Sequence, residues 1–397
     1  MLTLPERWAR ELANRLAQRA IPCHMATSAR ERDAIGGLRY QVHIGEQNVP
    51  LGEADHARRR IWYPEDDLPG TYHFYAGSPD EMLGCLRVRV WGPGQVPPDL
   101  HTFYSMDMLP GVEALTTCDV TKMVVIPKVR GTTAMASLTG YSIYETVRAH
   151  QAALMFACCV PGLLHRYRAI GLRTYGGRLR NAPWGLAVQL IGITNDVEHT
   201  RRIGSPWYPA LRRLQRERRL PADLPVLRKM AEDDRSALTE PDDAAPEIDA
   251  FARSGASAFL SALSPAALAR VARYAMILDV PPDLVVTRLG VVERELFVVL
   301  GGEFVASRDG VDLRHMARGE VFGEIALLSE GGKRRAEVRS ITPGRVLVLR
   351  RKLLSDLSAS EPKIALEIYR ALTQQLLGKL MEEPATVQPK AAAREAG

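Results

Sequence analysis

Residues Phe322 to Val338, FGEIALLSEGGKRRAEV, combine the residue types that a phosphate ester needs. A short helix of small and apolar residues is entered through Gly323 and Glu324. A Gly-rich break follows, and Arg334 and Arg335 precede a strand at Ala336–Val338. Helix N-termini carry unpaired N–H groups and partial positive charge, which suits phosphate. Gly323 lets backbone approach a ligand closely, and an arginine after the loop can clamp a phosphate through two parallel donors. Glu324 can accept hydrogen bonds from ribose hydroxyls. A second candidate is the run Lys128-Val129-Arg130-Gly131-Thr132-Thr133-Ala134. It lies between a strand pattern and a helix pattern, where successive backbone N–H groups make a pyrophosphate cradle. A plain basic connection is the alternative.

The elements around these stretches follow from periodicity. Residues 4–20 repeat at helical spacing, with Trp8, Leu12 and Leu16 on one face. A short strand at His24–Thr27 leads to a helix through RERDAIGGLRYQVHIGE. Strands are expected at Thr71–Ala76 and Met82–Trp91 as a hairpin, then at Asp119–Ile126. A helix from Thr133 to His150, an apolar strand at Leu154–Val160, a helix at Leu163–Ile170 and a strand at Gly185–Ile193 complete a mixed unit. The basic run Arg212–Arg219 reads as helical. The charge then inverts: Glu232 to Asp249 holds eight acids against one arginine, with Pro241 and Pro246, and reads as a linker. Beyond it come a helix at Pro265–Met276, several short strands up to Leu349, and strong helical periodicity over Leu353–Leu380. The expected domains are therefore 1–220, an acidic linker at 221–255, a second domain at 256–382, and a disordered tail at 383–397.

Composition bounds the rest. A chain of 397 residues has room for two or three domains. Net charge is +6, which Arg-rich helices produce without a nucleic-acid partner, so none is expected. Five cysteines, with Cys158 and Cys159 adjacent, show neither metal spacing nor a paired framework, so no metal is expected and the thiols read as reduced and inert. The first residues are charged throughout and do not read as a signal peptide. No apolar run approaches the roughly eighteen residues of a membrane span. A cytoplasmic location is expected.

Several N-terminal motifs together resemble the GNAT acyltransferase superfamily. KVRGTTA is similar to its [QR]-x-x-G-x-[GA] pyrophosphate loop, with Lys128 in place of Gln or Arg, and Tyr167-Arg-Ala-Ile-Gly171-Leu172 to its Y-x-x-x-G-[FL] element. Within that superfamily, Leu38-Arg39-Tyr40 with Val42 and Glu46 resembles the entry helix of acyl-homoserine-lactone synthases and N-acyl amino-acid synthases. Asp66 and Asp67 match the acidic residues of their first long loop, and Gly84-Cys85-Leu86-Arg87 their G-x-x-R strand. Asp119-Val120-Thr121-Lys122 resembles their E-x-S-R strand, and PGLLHRYRAIGLRTY a run of the N-acyl amino-acid synthases.

The resemblance implies acyl transfer to an amine. Acyl carrier protein (ACP) or coenzyme A (CoA) would bring the acyl group as a thioester, held by Met123, Val124, Val125, Lys128, Arg130, Gly131, Thr132 and Thr133. The chemistry needs a neutral amine, so Asp119 is the candidate base, the alternative being a salt bridge with Lys122 or Arg87. Backbone N–H groups at Met123–Val125 are the candidate oxyanion donors. Tyr167 would protonate the departing thiolate, or else be a core tyrosine. Arg39 and Arg87 are candidates to grip a carboxylate on a small acceptor such as an amino acid.

The cassette and its surroundings resemble a cyclic-nucleotide-binding domain, F-G-E-[LI]-[AG]-L followed by R-[ST]-A-x-V. Phe297-Val-Val-Leu-Gly301-Gly302-Glu303-Phe304 is similar to that family's glycine turn. The resemblance places ligand contacts at Phe322, Gly323, Glu324, Ile325, Ala326, Arg334, Arg335 and Ala336, with cAMP or cGMP as effector. Arg335 stands where the family has Ser or Thr and cannot reproduce an uncharged hydroxyl, which leaves an altered ligand or a purely structural module open. The expected fold class is α+β: a GNAT-like mixed domain on a mostly antiparallel sheet, then a β-roll with flanking helices. The expected function is a cyclic-nucleotide-regulated N-acyltransferase. The alternatives are a protein-lysine acetyltransferase under the same control, or a degenerate enzyme acting as a nucleotide-sensing scaffold.

Overall fold

A computed structural model describes residues 21–49, 51–130, 133–182, 185–233, 238–239 and 241–381. The expected helix at 4–20, the expected tail at 383–397, and Gly131 and Thr132 lie outside these residues. Residues 1–178 with 187–234 form one compact unit, and 179–186 with 235–397 form a second.

The first unit is built on a seven-stranded sheet. Its strands are β1 (Cys23–Met25), β2 (Thr71–Gly77), β3 (Met82–Trp91), β4 (Thr117–Val125), β5 (Leu154–Cys159), β6 (Arg173–Ala182) and β7 (Gly185–Ile193), in the order β1-β2-β3-β4-β5-β7-β6. β1 to β4 pair antiparallel, as do β5 and β7, whereas β4 and β5 run parallel. Helix α1 (Ala29–Tyr40) starts at a capping box. The Ser28 hydroxyl accepts from the Glu31 N–H, and the Glu31 carboxylate accepts from the Ser28 N–H at 2.7 Å. α1 continues as a π-helical turn over Gln41–Glu46. Its Ile35 and Leu38, with Val42, pack on Tyr75, Met82, Cys85 and Val124. Gly36 is required because a methyl there would strike the Arg60 side chain, 2.6 Å from its Cγ. Helix α2 (Thr133–His150) packs against β2 and β3, and α3 (Leu164–Ile170) follows β5. A second apolar cluster, including Tyr104, Phe156, Tyr175 and Ile191, continues the core toward the far edge.

β6 is a strand that the sequence reading does not contain. Its RTYGGRLRNA is polar and Gly-rich and lacks apolar alternation, and it is held by pairing with β7.

The second unit is a β-roll of two sheets with helices. Its strands are β8 (Met276–Val280), β9 (Val285–Thr287), β10 (Glu295–Gly301), β11 (Phe304–Arg308), β12 (Val311–Met316), β13 (Val321–Phe322), β14 (Glu337–Ser340) and β15 (Gly344–Arg350). One sheet runs β8-β15-β10-β13, edged by Leu238–Thr239, and the other β9-β14-β11-β12. Helices α4 (Pro241–Arg253), α5 (Pro265–Tyr274), α6 (Glu324–Leu328), α7 (Arg351–Ser360) and α8 (Pro362–Met381) flank it.

Much of the stretch expected to be an acidic linker is thus helix α4. Its Ala244, Ile248, Phe251 and Ala252 are buried against Phe259, Val271 and Ile277. The apolar residues fall on one helical face, and the acids between them hide that spacing in a composition count. Among the described residues no helix is long and apolar enough to cross a membrane.

Candidate functional site

The parallel pairing of β4 with β5 is short. Thr117, Cys118 and Asp119 pair with Leu154, Met155 and Phe156, and the register ends there. β5 continues to pair with β7 through Cys158 and Cys159, while β4 stays with β3, so the two strands part beyond Asp119. The Ile126 N–H donates to the Leu83 carbonyl, toward β3. By strand alternation the backbone groups of Val125 face the opening. Arg130 reaches that edge: its Nε donates to the Val125 carbonyl at 3.0 Å and its Nη2 pairs with Glu46 at 2.5 Å. Lys128 is exposed on the turn Pro127–Val129, and α2 begins at Thr133.

Tyr167 projects from α3 on the β5 side. It is half-buried. Burial, with the neighbouring Cys159 and Cys158 thiols, drives its phenol far above the ordinary range, so it keeps its proton at any physiological pH. Among the described residues its hydroxyl has no hydrogen-bond partner. Burial pushes the Cys158 thiol up to about 12, which keeps it a thiol.

Asp119 is fully buried at the point where the strands part. Its partner is neither Lys122 nor Arg87 but Arg89, which is bidentate at 3.2 Å (Nε to Oδ1) and 2.5 Å (Nη2 to Oδ2). The Tyr104 hydroxyl adds a 3.4 Å contact to Oδ2. The pairing follows from register, since Arg89 lies directly opposite Asp119 on β3. Arg89 and Tyr104 were not among the expected site residues. The signal for Arg89 was in the sequence, because Arg87 and Arg89 stand two apart on one strand and must share a face.

Arg39 and Arg87, expected to grip an acceptor, both turn onto Asp66. Arg39 Nη1 lies 2.6 Å from Oδ2, and Arg87 Nη1 lies 3.0 Å from Oδ1. All three side chains are buried. The Tyr63 N–H donates to Asp66 Oδ2 at 2.8 Å, and Arg39 Nη2 lies 3.3 Å from His73 Nδ1. Burial raises the Asp66 pKa, but Arg39, the Tyr63 N–H and Arg87 outweigh it and leave the carboxyl below the ordinary range. Burial and Arg39 lower His73 to about 4, so it is neutral. Asp67, by contrast, is exposed and accepts from Trp62 Nε1 at 2.9 Å. Lys122 stands beside the cluster with Nζ 3.6 Å from the Tyr63 ring centroid. Sequence alone gave no sign of that position.

In the second unit Gly323 has φ 88° and leads into the five-residue α6. A side chain there would collide with Arg334 Nη1 and the Glu295 carbonyl. Phe322 is buried and stacked on Phe297 at 4.8 Å, Ala326 is buried, and Ile325 is 40% exposed. The cassette's two anchoring charges are both engaged internally. Arg334 Nε lies 3.3 Å from Glu293 Oε2, its Nη2 3.7 Å from Glu295 Oε2, and its Nη1 donates to the Glu295 carbonyl at 2.8 Å. Glu324 Oε1 lies 2.6 Å from Lys379 Nζ of α8, which also donates to the Val321 carbonyl. Burial raises Glu293 to about 7 despite Arg334, and Glu295 adds to the rise. Arg335 is exposed, its carbonyl accepting from Arg308 Nε and Nη2 at 2.9 and 2.6 Å. Ala336 is half-buried, and its carbonyl lies 3.5 Å from the Thr287 hydroxyl.

Residues 34–194 match the family described as N-acyl amino acid synthase FeeM, and residues 277–361 match the cyclic nucleotide-binding domain family. The chain thus carries a stretch similar to N-acyl amino acid synthases, which supports an acyltransferase, followed by a stretch similar to cyclic nucleotide-binding domains. Among solved structures, FeeM, an N-acyl amino acid synthase from uncultured soil microbes, is 14% identical with a TM-score of 0.36. The match covers 48% of this chain and 97% of that one. A cyclic nucleotide-binding domain from Methylobacillus flagellatus KT is 22% identical with a TM-score of 0.28, covering 30% of this chain and 68% of that one. No curated protein matches the chain.

Proposed function

We propose that this chain transfers an acyl group from acyl-ACP or acyl-CoA to the amine of a small acceptor such as an amino acid, under cyclic-nucleotide control through its second unit. The observation that carries the reading is the parting of β4 from β5 beyond Asp119, with Tyr167 on the β5 side. The opening takes a thioester between a strand edge and a phenol that holds its proton.

The acceptor nitrogen attacks the thioester carbon as the free amine, forming the C–N bond. The oxyanion that develops is held by N–H groups on the open edge at Met123–Val125. As the intermediate collapses the C–S bond breaks, and Tyr167 donates its proton to the leaving thiolate. The proton shed by the nitrogen restores the phenol through solvent. Asp119 is bidentate to Arg89 and in contact with the Tyr104 hydroxyl, and we assign it to fixing Arg89 and Tyr104 at the mouth. Lys128, exposed on the turn, faces the phosphates of either donor.

In the second unit a cyclic phosphate would take Arg334 from Glu293 and Glu295, and a ribose would take Glu324 from Lys379. Such exchange ties the ligand to α8, where Lys379 resides. Regulation then requires that the nucleotide favour one arrangement of that helix.

The purified chain, supplied with acyl-ACP or acyl-CoA and the free amino acids, is expected to release thiol and form N-acyl amino acids detectable by mass spectrometry. Tyr167→Phe is expected to lower kcat about 100-fold with little change in KM. Acetylation of a protein lysine with no acyl-amino acid formed would overturn the reading.

A further inference from the structure

The strand edge assigned to the donor is already engaged by the chain itself. The Ile126 N–H donates to the Leu83 carbonyl, so the backbone groups of Val125 point away from β3 and toward the opening. There the Val125 carbonyl accepts from Arg130 Nε at 3.0 Å, and Arg130 Nη2 lies 2.5 Å from Glu46 Oε2. Glu46 closes the π-helical turn that ends α1, where the Gln47 N–H donates five residues back to the Val42 carbonyl. Such turns are rare and recur at functional positions.

The pair is poorly suited to a purely structural role. The Arg130 side chain is 40% exposed, and ion pairs of that kind add little stability. Glu46 Oε1 is buried with no hydrogen-bond partner among the described residues, a cost the pair does not recover. A phosphate ester offers Arg130 more, namely two parallel charge-assisted hydrogen bonds. Both ACP and CoA carry their thioester on an arm that contains amides and is attached through a phosphate ester. The amides match the strand edge that Arg130 covers, and the phosphate matches Arg130 itself.

We propose that Glu46 and Arg130 form a latch that selects the donor. Glu46 holds Arg130 on the Val125 carbonyl, and a phosphate on the donor draws Arg130 away and uncovers that carbonyl for the arm. The inference rests on the acyl-transfer reading and goes beyond it. Arg130 both obstructs the edge and, once exchanged, holds the donor. Glu46 touches no reacting atom and sets donor specificity through Arg130. A thioester without phosphate meets a covered edge with nothing to uncover it.

The test uses the full chain, an amino acid that it acylates, and one acyl group on two carriers. One carrier is CoA or ACP. The other is N-acetylcysteamine, which keeps an amide of the arm and lacks the phosphate. Arg130→Met is expected to lower kcat/KM for the phosphate-bearing donor about tenfold and to raise it for the short thioester about tenfold, as suits one hydrogen bond lost and one obstruction removed. Glu46→Gln is expected to lower KM for the phosphate-bearing donor about threefold with little change in kcat. In the native chain, inorganic pyrophosphate is expected to speed turnover of the short thioester severalfold, and in Arg130→Met to have no effect. Native turnover of the short thioester that pyrophosphate leaves unchanged or slows overturns the latch, with no dependence on how a variant folds. So does an Arg130→Met chain that melts with the native one and loses both donors alike. An unchanged KM in Glu46→Gln removes Glu46 from the latch. Formation of no acyl-amino acid from acyl-ACP or acyl-CoA would instead remove the acyl-transfer reading beneath it.

Discussion

The two units hold inverse ion clusters. In the first, one carboxylate, Asp66, lies between two buried arginines. In the second, one arginine, Arg334, lies between two glutamates, with Glu293 the more deeply buried. Each geometry satisfies the central group, yet the residual charge is opposite. The first sets two buried arginines on one buried carboxylate, with Glu65 3.8 Å from Arg87 at its edge. The second is left negative at the place where the cyclic-nucleotide-binding family puts a phosphate. The same motif arithmetic, an arginine at the expected spacing, therefore means different things once its neighbours are counted. An anchoring residue attracts a ligand only with the charge its partners leave over.

The comparison breaks most visibly at its first centre. Asp66→Ala would leave two buried guanidinium groups without their carboxylate, and a loss of about 3–5 kcal/mol is expected. It is read as an earlier denaturation of the first unit, followed by fluorescence of Trp62, Trp91 and Trp207. No shift would mean that solvent already satisfies those arginines.

The second centre should respond in ligand affinity rather than stability. Glu293→Gln removes one competitor for Arg334, and calorimetric affinity for cAMP or cGMP is expected to rise about tenfold. The pH dependence fixes the sign. The Glu293 pKa is raised to about 7 by burial and Glu295 against the pull of Arg334 and Arg288, so the proton is bound more tightly in the folded chain. The stability this lends is present below the unfolded value near 4.5 and is lost as pH rises through 7. The anionic ligand competes best with a protonated Glu293, so affinity should tighten from pH 8 to 6 in the native chain and stay flat in Glu293→Gln. A native profile without slope would show that Glu293 does not contest the site.

The smallest effect belongs to Lys379→Met. Breaking the pair of half-buried Lys379 with buried Glu324 is expected to quicken amide exchange in the last turns of α8. Nucleotide affinity should rise a few-fold. Unchanged exchange would mean that apolar packing alone holds that helix.

Much of the architecture was legible because it is carried by local pattern. Thr133–His150 and Gly185–Ile193 are found where periodicity put them. The misses have physical reasons. β6 is stabilised by its neighbour rather than by its own residues, and α4 hides a regular apolar face beneath its acids. The site was legible by residue type and less so by partnership. Asp119 was visible, but its engagement by Arg89 depends on cross-strand register. Lys122 depends on a bulge, which leaves no mark in the one-dimensional pattern.

One consequence of the parted strands concerns the chain's own safety. A sheet that opens in its middle presents an unpaired strand edge, and such edges recruit other chains. The staple from Arg130 to the Val125 carbonyl and to Glu46 places a charged side chain across that edge. The loop proposed to face the donor thus also shields that edge from a second strand.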